Sequence, residues 1–254
     1  MKLFRHRLRV AGTGVTPFLN RLLSLDFSSG ISGYGLLLDP AGRLVGGAYW
    51  QPEPEGWLAL GTESMITALA EALPRYIFFR DAVAIQVLSP ALVSAQADPY
   101  GTYHDLGQPA RILTVEAATD GPVDPFGWQR RSAGFPVLGL EFLTGDLPLE
   151  WDYGFALARK GCYPGQEVVE RMTTKQRRAK GRILARQHTA GLTWPSSQVA
   201  DLRAPILHEG RSLALGLTPD RQEPAAAGWE FSRPGYQPII SLTLPFTEWA
   251  SSNR

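Results

Sequence analysis

Cysteine is almost absent from this sequence, because Cys162 is the only one among 254 residues. A single thiol excludes an internal disulfide, and it suits a reducing compartment better than secretion. One cysteine and four histidines also cannot supply the usual four ligands of an iron–sulfur cluster. No metal site is predicted, since His6, His104, His188 and His208 share no ligand spacing with Cys162.

Long apolar runs and a strong net charge are missing as well. No stretch approaches the roughly 20 apolar residues that span a bilayer, and no apolar segment of the signal-peptide kind follows the basic start of the chain. We therefore expect a cytoplasmic monomer that contacts no membrane. The formal net charge is only +1, so no overall field would hold DNA, and a charged partner would have to meet a local patch. Complete Rossmann and Walker A motifs are absent too.

The chain does contain strand and helix signals in mixture, which is typical of an α+β fold. The apolar runs 34–38 and 43–50 flank a turn-forming segment, so they predict a β-hairpin. Between Thr62, a suitable N-cap, and the breaker Pro74, apolar residues recur with the spacing of one amphipathic helix. The basic first residues also alternate with apolar ones, which predicts a strand rather than a targeting segment.

The helical signal fades beyond Arg182, and short strand patterns between Gly/Pro turns replace it. The predicted strands lie at 83–87, 111–115, 183–187, 205–208, 213–217 and 239–244. We interpret 1–182 as an α+β domain and 183–254 as a small antiparallel β-domain, with a barrel as its expected form.

The segment 160–167, which reads KGCYPGQE, carries the strongest chemical signal. Tyr163-Pro164-Gly165-Gln166 fits a type II turn, in which Pro presets φ and Gly supplies the positive φ. A helix that begins directly after this turn would aim N–H groups and a partial positive charge at the loop. Cys162 would then lie between that helix end and Lys160, and both features stabilise a thiolate. A reactive thiol and a buried, inert cysteine are both open interpretations.

Glu167 and the basic run after it add binding chemistry to the loop. A carboxylate matches a planar pair of N–H donors such as the amino-pyrimidine edge of a pterin, although a first-turn Glu can also simply complement the helix dipole. Six of the twelve residues from 171 to 182 are basic and none is acidic. They are Arg171, Lys175, Arg177, Arg178, Lys180 and Arg182. This run could be a solvated loop, hold the glutamyl tail of a folate or bind the phosphates of RNA.

The octapeptide resembles the K-G-C-Y-x-G-Q-E signature of the YgfZ-type folate-binding proteins. That family is related to the aminomethyltransferase of glycine cleavage and includes a mitochondrial iron–sulfur maturation factor. Residues 131–136 resemble its R-x-x-G-x-P motif, and residues 147–150 resemble its I-P-x-E approach to the loop. Weaker landmarks occur at 18–26, 42–43 and 80–83. The resemblance thus spans most of the first 180 residues.

The resemblance implies a GcvT-like architecture, with two ferredoxin-like units around a central channel and a C-terminal antiparallel β-barrel. The expected cofactor is tetrahydrofolate or a one-carbon derivative, held in the channel. Cys162 and Lys160 match the family's functional pair, and Glu167 matches the carboxylate that meets the pterin in the aminomethyltransferases. The other residues expected to contact folate are Tyr163, Gly165, Gln166 and Arg171.

The function that the resemblance implies is an accessory role in the assembly or repair of iron–sulfur enzymes, with those enzymes or assembly factors as partners. A folate-dependent one-carbon transferase is an alternative, and an RNA-binding module is a second one. The aminomethyltransferases carry an acidic residue near the position of Tyr49 to Pro52, where this chain has none, and their loop lacks the cysteine. These two departures argue against classical aminomethyltransferase activity.

Overall fold

Two antiparallel sheets and three α-helices form the regular structure of the described residues. The computed structural model describes residues 2–95, 112–117, 136–151, 153–157, 160–175, 180–187, 201–208, 211–219 and 229–232. The mixture of strands and helices confirms the predicted α+β class.

The larger sheet has six strands in the order β2-β3-β4-β1-β5-β6, and all neighbours are antiparallel. Its strands are β1 (Lys2–Ala11), β2 (Gly33–Leu38), β3 (Leu44–Glu53), β4 (Gly56–Gly61), β5 (Ala84–Ala95) and β6 (Ile112–Ala117). The predicted hairpin is confirmed by β2 and β3, and the predicted N-terminal strand by β1. In β1, Leu8 lies opposite Ala59 of β4 and Val87 of β5, so the start of the chain occupies the middle of the sheet.

The helices are α1 (Val15–Leu22), α2 (Glu63–Ala72) and α3 (Gln166–Lys175). In α1, Val15, Phe18, Leu19 and Leu22 recur with helical spacing and are buried. The predicted helix after Thr62 is confirmed by α2, whereas no pattern above predicts α1. None of the helices in the described ranges is long and apolar enough to cross a membrane.

The first core lies between the larger sheet and helices α1 and α2. Phe27 contacts Trp50 and Trp57 edge to face, with ring centroids 5.4 and 4.8 Å apart. The expected inward face of β5 is only partly confirmed. Ile85 packs against this core, but Val87 is 60% exposed and faces solvent.

Thr62 precedes α2 as expected but does not cap it through its side chain. Its hydroxyl instead donates to the carbonyl oxygen of Leu138 at 3.1 Å. The predicted helix boundary is therefore correct, while the threonine side chain serves a contact with a distant segment of the chain.

The smaller sheet has four antiparallel strands in the order β10-β7-β9-β8. They are β7 (Lys180–Gln187), β8 (Asp201–His208), β9 (Arg211–Pro219) and β10 (Trp229–Ser232). Three of them match predicted strands, β10 was not predicted, and the expected strand at 239–244 lies outside the described residues. Within the described residues this sheet is open, with β8 and β10 at its edges, so the closed barrel stays a prediction.

A second core joins the two sheets. It contains Leu36, Leu38 and Leu44 from the hairpin, Phe142, Trp151 and Tyr153 from the segment before the loop, and Leu213, Leu215 and Leu217 from β9. Because β9 contributes its buried face to this core, the smaller sheet packs directly on the part of the chain that leads to residues 160–167.

Glu150 ties this segment to the start of the smaller sheet. Glu150 is only 6% exposed, and its Oε1 accepts a hydrogen bond from the backbone N–H of Lys180 at 3.0 Å. Burial raises the pKa of the Glu150 carboxyl, because the charged form loses water that one hydrogen bond does not fully replace.

Replacing Glu150 with Gln is expected to stabilise the protein at neutral pH by on the order of 0.5–1 kcal/mol. The pKa of Glu150 is higher in the folded state than in the unfolded state, so the protein loses stability as the pH rises through the folded-state pKa. A glutamine does not ionise and avoids this loss, and its side-chain oxygen can still accept the N–H of Lys180. Urea unfolding measures this gain, which should vanish at acid pH, where Glu150 is protonated in both states. Equal destabilisation at both pH values would contradict it, and Glu63→Gln on the exposed start of α2 is the control.

Candidate functional site

The predicted type II turn and the helix after it are confirmed. Gly165 has a φ of +77°, and the N–H of Gln166 donates to the carbonyl oxygen of Tyr163 at 3.3 Å. Helix α3 begins at Gln166, and the N–H of Val169 donates to the carbonyl oxygen of Gly165 at 3.2 Å. The free N–H groups of the first helical turn therefore lie directly beside the loop.

The hairpin turn between β2 and β3 packs against this loop turn. Gly42, which has a φ of +77°, donates its N–H to the carbonyl oxygen of Asp39 at 2.9 Å. A Cβ added to Gly165 would lie 2.5 Å from that same carbonyl oxygen, and one added to Gly42 would lie 3.2 Å from the side chain of Val168. The two glycines let the turns meet backbone to backbone, which fixes where α3 begins.

Lys160 is half-buried and reaches back to helix α1. Its Nζ donates to the backbone oxygen of Asn20 at 2.5 Å and lies 3.4 Å from Asn20 Oδ1. It also lies 5.6 Å from the centre of the Tyr163 ring. Burial lowers the pKa of the Lys160 ammonium to about 8, and the attraction of Asp26 acts in the opposite direction.

A cleft of about 630 Å³ separates α1 from the segment 160–162. Asn20 and Arg21 of α1 line one wall together with Asp26 and Ser28, and Lys160, Gly161 and Cys162 line the other. The structure therefore brings Lys160 and Cys162 together at one cavity. Cys162 is exposed, so its interpretation as a buried residue is wrong, while the reactivity of its thiol stays a prediction.

The walls differ in how their charges are matched. Arg21 donates to both carboxylate oxygens of Asp81 and to the carbonyl oxygen of Tyr76. The hydrogen bonds from Arg21, together with one from the backbone N–H of Phe78, lower the pKa of the Asp81 carboxyl to about 2. Among the described residues, no carboxylate forms an ion pair with Lys160. Of the two cations that line the cleft, Arg21 therefore has a salt bridge, and Lys160 has none among the described residues.

Glu167 lies on the exposed side of α3 rather than in the lining of the cleft. Its side chain is 84% exposed and accepts from Arg171 at 2.5 Å, four residues further along the helix. Gln166 donates to Glu170 at 2.7 Å, and the buried Tyr163 completes the base of the loop. Of the predicted site residues, Lys160 and Cys162 share the cleft, whereas Glu167 and Arg171 form a separate surface pair.

Lys160 and Cys162 are the only predicted site residues in the lining of the cleft, and Asn20 and Asp26 are among those that were not predicted. The signal that could have found them is the weak family landmark at 18–26, which contains both. Of the basic run, Lys175 and Lys180 are exposed, and Arg177 and Arg178 lie outside the described residues. In the described part of the chain, no group of three or more His, Cys, Asp or Glu side chains could hold a metal ion.

The cleft combines an amine of lowered basicity, an exposed thiol and a carboxylate. An amine with a pKa near 8 can donate or accept a proton close to neutral pH, and its neutral form is a nucleophile. The thiol of Cys162 is exposed on the same wall. This set suits a ligand with an electrophilic carbon better than a ligand held by charge alone.

The comparisons with known proteins show the fold. No known family model matches the sequence, and no curated protein sequence matches it. The structure is similar to that of the glycine cleavage system aminomethyltransferase T from Bartonella henselae, with a TM-score of 0.59 and 14% sequence identity over 86% of this chain and 78% of that chain. At this identity the likeness extends to the fold and no further, so the expected YgfZ-type membership stays a prediction. The chain has an α+β fold related to that of the glycine-cleavage aminomethyltransferases.

Proposed function

We propose that the protein binds tetrahydrofolate or a one-carbon derivative at the loop 160–167, and that it serves iron–sulfur enzymes as a YgfZ-type accessory protein. The observation that carries the proposal is that Lys160 and Cys162 both line a cleft against helix α1. These are the two residues that the octapeptide resemblance marks as functional. The finer architecture of two ferredoxin-like units, a central channel and a barrel over 183–254 belongs to the same proposal.

The size of the cleft supports a ligand of this class. Its volume of about 630 Å³ lies inside the range of roughly 300–1,000 Å³ that is typical of small-molecule sites. Asn20 and Ser28 offer polar groups on one wall, and Lys160 offers a cation on the other. The one-carbon position of a folate would meet Lys160 and Cys162, while its pterin extends along α3.

Glu167 is proposed as the carboxylate that takes the pterin edge. Its present partner, Arg171, is an exposed i, i+4 neighbour, and such pairs contribute only about 0.3–0.5 kcal/mol. A ligand that offers two parallel N–H donors can therefore replace Arg171 at small cost.

Calorimetric titration with tetrahydrofolate tests the binding step. We expect saturable binding by the wild type, a loss of at least about tenfold in affinity for Glu167→Gln, which removes a charge-assisted acceptor, and little change for Cys162→Ala. Glu71→Gln, at an exposed position on α2, is the matched control. A folded wild type that binds no folate would refute the proposal, and full affinity in Glu167→Gln would remove Glu167 from the site.

The accessory role needs a separate test in cells that lack the protein. We expect the activity of an iron–sulfur enzyme to fall in these cells and to be restored by the wild type and by Glu71→Gln. Cys162→Ala should not restore it, because the thiol is proposed to act on the bound folate or on the partner. Full restoration by Cys162→Ala would argue against a chemical role for the thiol.

A one-carbon transferase is the second candidate, and one observation favours it. Such an enzyme needs an acid or base near the transferred carbon, and Lys160 and Asp26 both line the cleft. Turnover of methylenetetrahydrofolate by the purified protein, lost in Lys160→Arg, would support the transferase. Binding of the same compound without turnover would support the accessory protein.

A further inference from the structure

The surroundings of Lys160 are unusual for a lysine. Its amine is half-buried at the cleft, its hydrogen-bond acceptors are the two oxygens of Asn20, and its aromatic neighbour is Tyr163. Oxygen atoms of an amide hold the amine in position but do not neutralise its charge. A lysine that is desolvated in this way, without a carboxylate partner, is easier to deprotonate than an exposed one.

We propose that Lys160 Nζ is a nucleophile that binds small, uncharged aldehydes covalently and reversibly as an imine. The inference rests on the same cleft as the proposed function and specifies an electrophile class for it, but the bond itself requires no folate. Nothing in the octapeptide resemblance assigns this bond.

The chemistry balances without an added oxidant or reductant. The ammonium of Lys160 first gives a proton to water, and the free amine adds to the carbonyl carbon to form a carbinolamine. Loss of the carbonyl oxygen as water then leaves the imine, and hydrolysis returns the amine and the aldehyde. Burial lowers the pKa of the ammonium to about 8, so the neutral amine is present in useful amounts close to neutral pH.

The charges around the cleft select uncharged aldehydes. The charged side chains that line it with Lys160 are Asp26 and Arg21, and Arg21 is already held by Asp81. Once the amine of Lys160 is neutral, Asp26 is the charge of this lining that no salt bridge among the described residues matches, and it repels an aldehyde that carries a carboxylate or a phosphate. Tyr163 offers an apolar ring beside the amine, which favours a short aliphatic aldehyde.

Propanal with cyanoborohydride tests the inference on the intact protein, in the absence of folate. Cyanoborohydride reduces an imine to a stable propylamine, and peptide mass spectrometry then identifies the modified lysine. At neutral pH we expect Lys160 to be propylated at least about tenfold faster than Lys175, which is exposed at the end of α3, because a larger fraction of its amine is neutral. Glyoxylate, an anionic aldehyde, should label Lys160 with a smaller preference.

Asp26→Asn supplies a second, independent readout. Asp26 raises the pKa of Lys160, so its removal should increase the rate of propylation of Lys160 at neutral pH by roughly two- to fivefold. Asparagine retains the oxygen that accepts the N–H of Ser28, so the local turn is conserved. An unchanged rate in Asp26→Asn would contradict the electrostatic coupling between Asp26 and the amine of Lys160.

Two outcomes would overturn the inference. One is propylation of Lys160 no faster than that of Lys175 in the folded protein, and the other is a preference for Lys160 that persists after unfolding in urea. Neither outcome depends on folate, so a failed titration with tetrahydrofolate and a failed labelling of Lys160 are distinguishable results.

Discussion

Replacing Gly165 with Ala is expected to lower the free energy of unfolding by about 3 kcal/mol and to displace the loop that carries Lys160 and Cys162. Two effects add at this position. A φ of +77° is costly for any residue with a Cβ, and the new methyl group would lie 2.5 Å from the backbone oxygen of Asp39 and 2.8 Å from Gly42 Cα. Both contacts are with backbone atoms, so no side chain can rotate away to relieve them.

Gly161→Ala is the matched control, four residues earlier in the same loop. A Cβ on Gly161 meets no atom within 4 Å, and its φ is not positive. Its free energy of unfolding should change by less than about 0.5 kcal/mol. Urea unfolding of the two variants measures the difference, and equal stabilities would contradict the packing of the two turns.

Gly165→Ala should also change the reactivity of Lys160, apart from its effect on stability. If Gly165→Ala shifts the start of α3, the contact between Lys160 and Asn20 loosens and the amine becomes better solvated. Propylation of Lys160 should then slow towards that of Lys175, at a temperature where the variant is still folded. Unchanged preference for Lys160 would mean that the cleft does not depend on the turn.

Local structure around the loop was predictable because its causes are local. Pro164 and Gly165 define a type II turn within four residues, and a turn of this kind can begin a helix. Both features were predicted correctly from the sequence. The pairing of Glu167 with Arg171 was not predicted, although their i, i+4 spacing on that helix is a sufficient signal.

Contacts between segments that are distant in sequence could not be predicted from sequence patterns. Lys160 contacts Asn20 across 140 positions of the chain, and the hairpin turn that packs on Gly165 is also remote in sequence. No periodicity or turn motif encodes such a meeting, which depends on how the second core places β9 and the hairpin. For the same reason the sequence predicted Thr62 as the start of α2 but not its hydrogen bond to Leu138.

Asp146 is the position where we expect the second large effect. Its carboxylate accepts from Arg203 of β8, from the indole N–H of Trp151 at 3.0 Å and from the backbone N–H of Leu143 at 2.8 Å. The side chains of Arg203 and Asp146 are only 16% and 12% exposed, and the guanidinium lies 5.2 Å from the centre of the Trp151 ring. This cluster connects the smaller sheet to the segment that leads to the loop.

Asp146→Ala is expected to lower the free energy of unfolding by about 3 kcal/mol, because it leaves the N–H groups of Trp151 and Leu143 without an acceptor in a place that water reaches poorly. The half-buried Arg203 would keep only Asp201 and the carbonyl oxygen of Glu141 as partners. Arg203→Met should cost less, since it removes the charge that needs a partner and retains an apolar chain against Trp151. Urea unfolding of both single variants and of the double variant gives the coupling between the two side chains.

Glu53→Ala is the control that shows whether burial causes the loss of stability in Asp146→Ala. Glu53 pairs with Arg9 at 2.7 Å, but those side chains are 23% and 43% exposed, so the loss should stay below about 1 kcal/mol. If desolvation is the cause, Asp146→Ala costs several times more than Glu53→Ala, and the double variant is more stable than the sum of the single losses predicts. Equal losses at both pairs would mean that the attraction of opposite charges, and not the burial of Arg203, holds the smaller sheet against the loop segment.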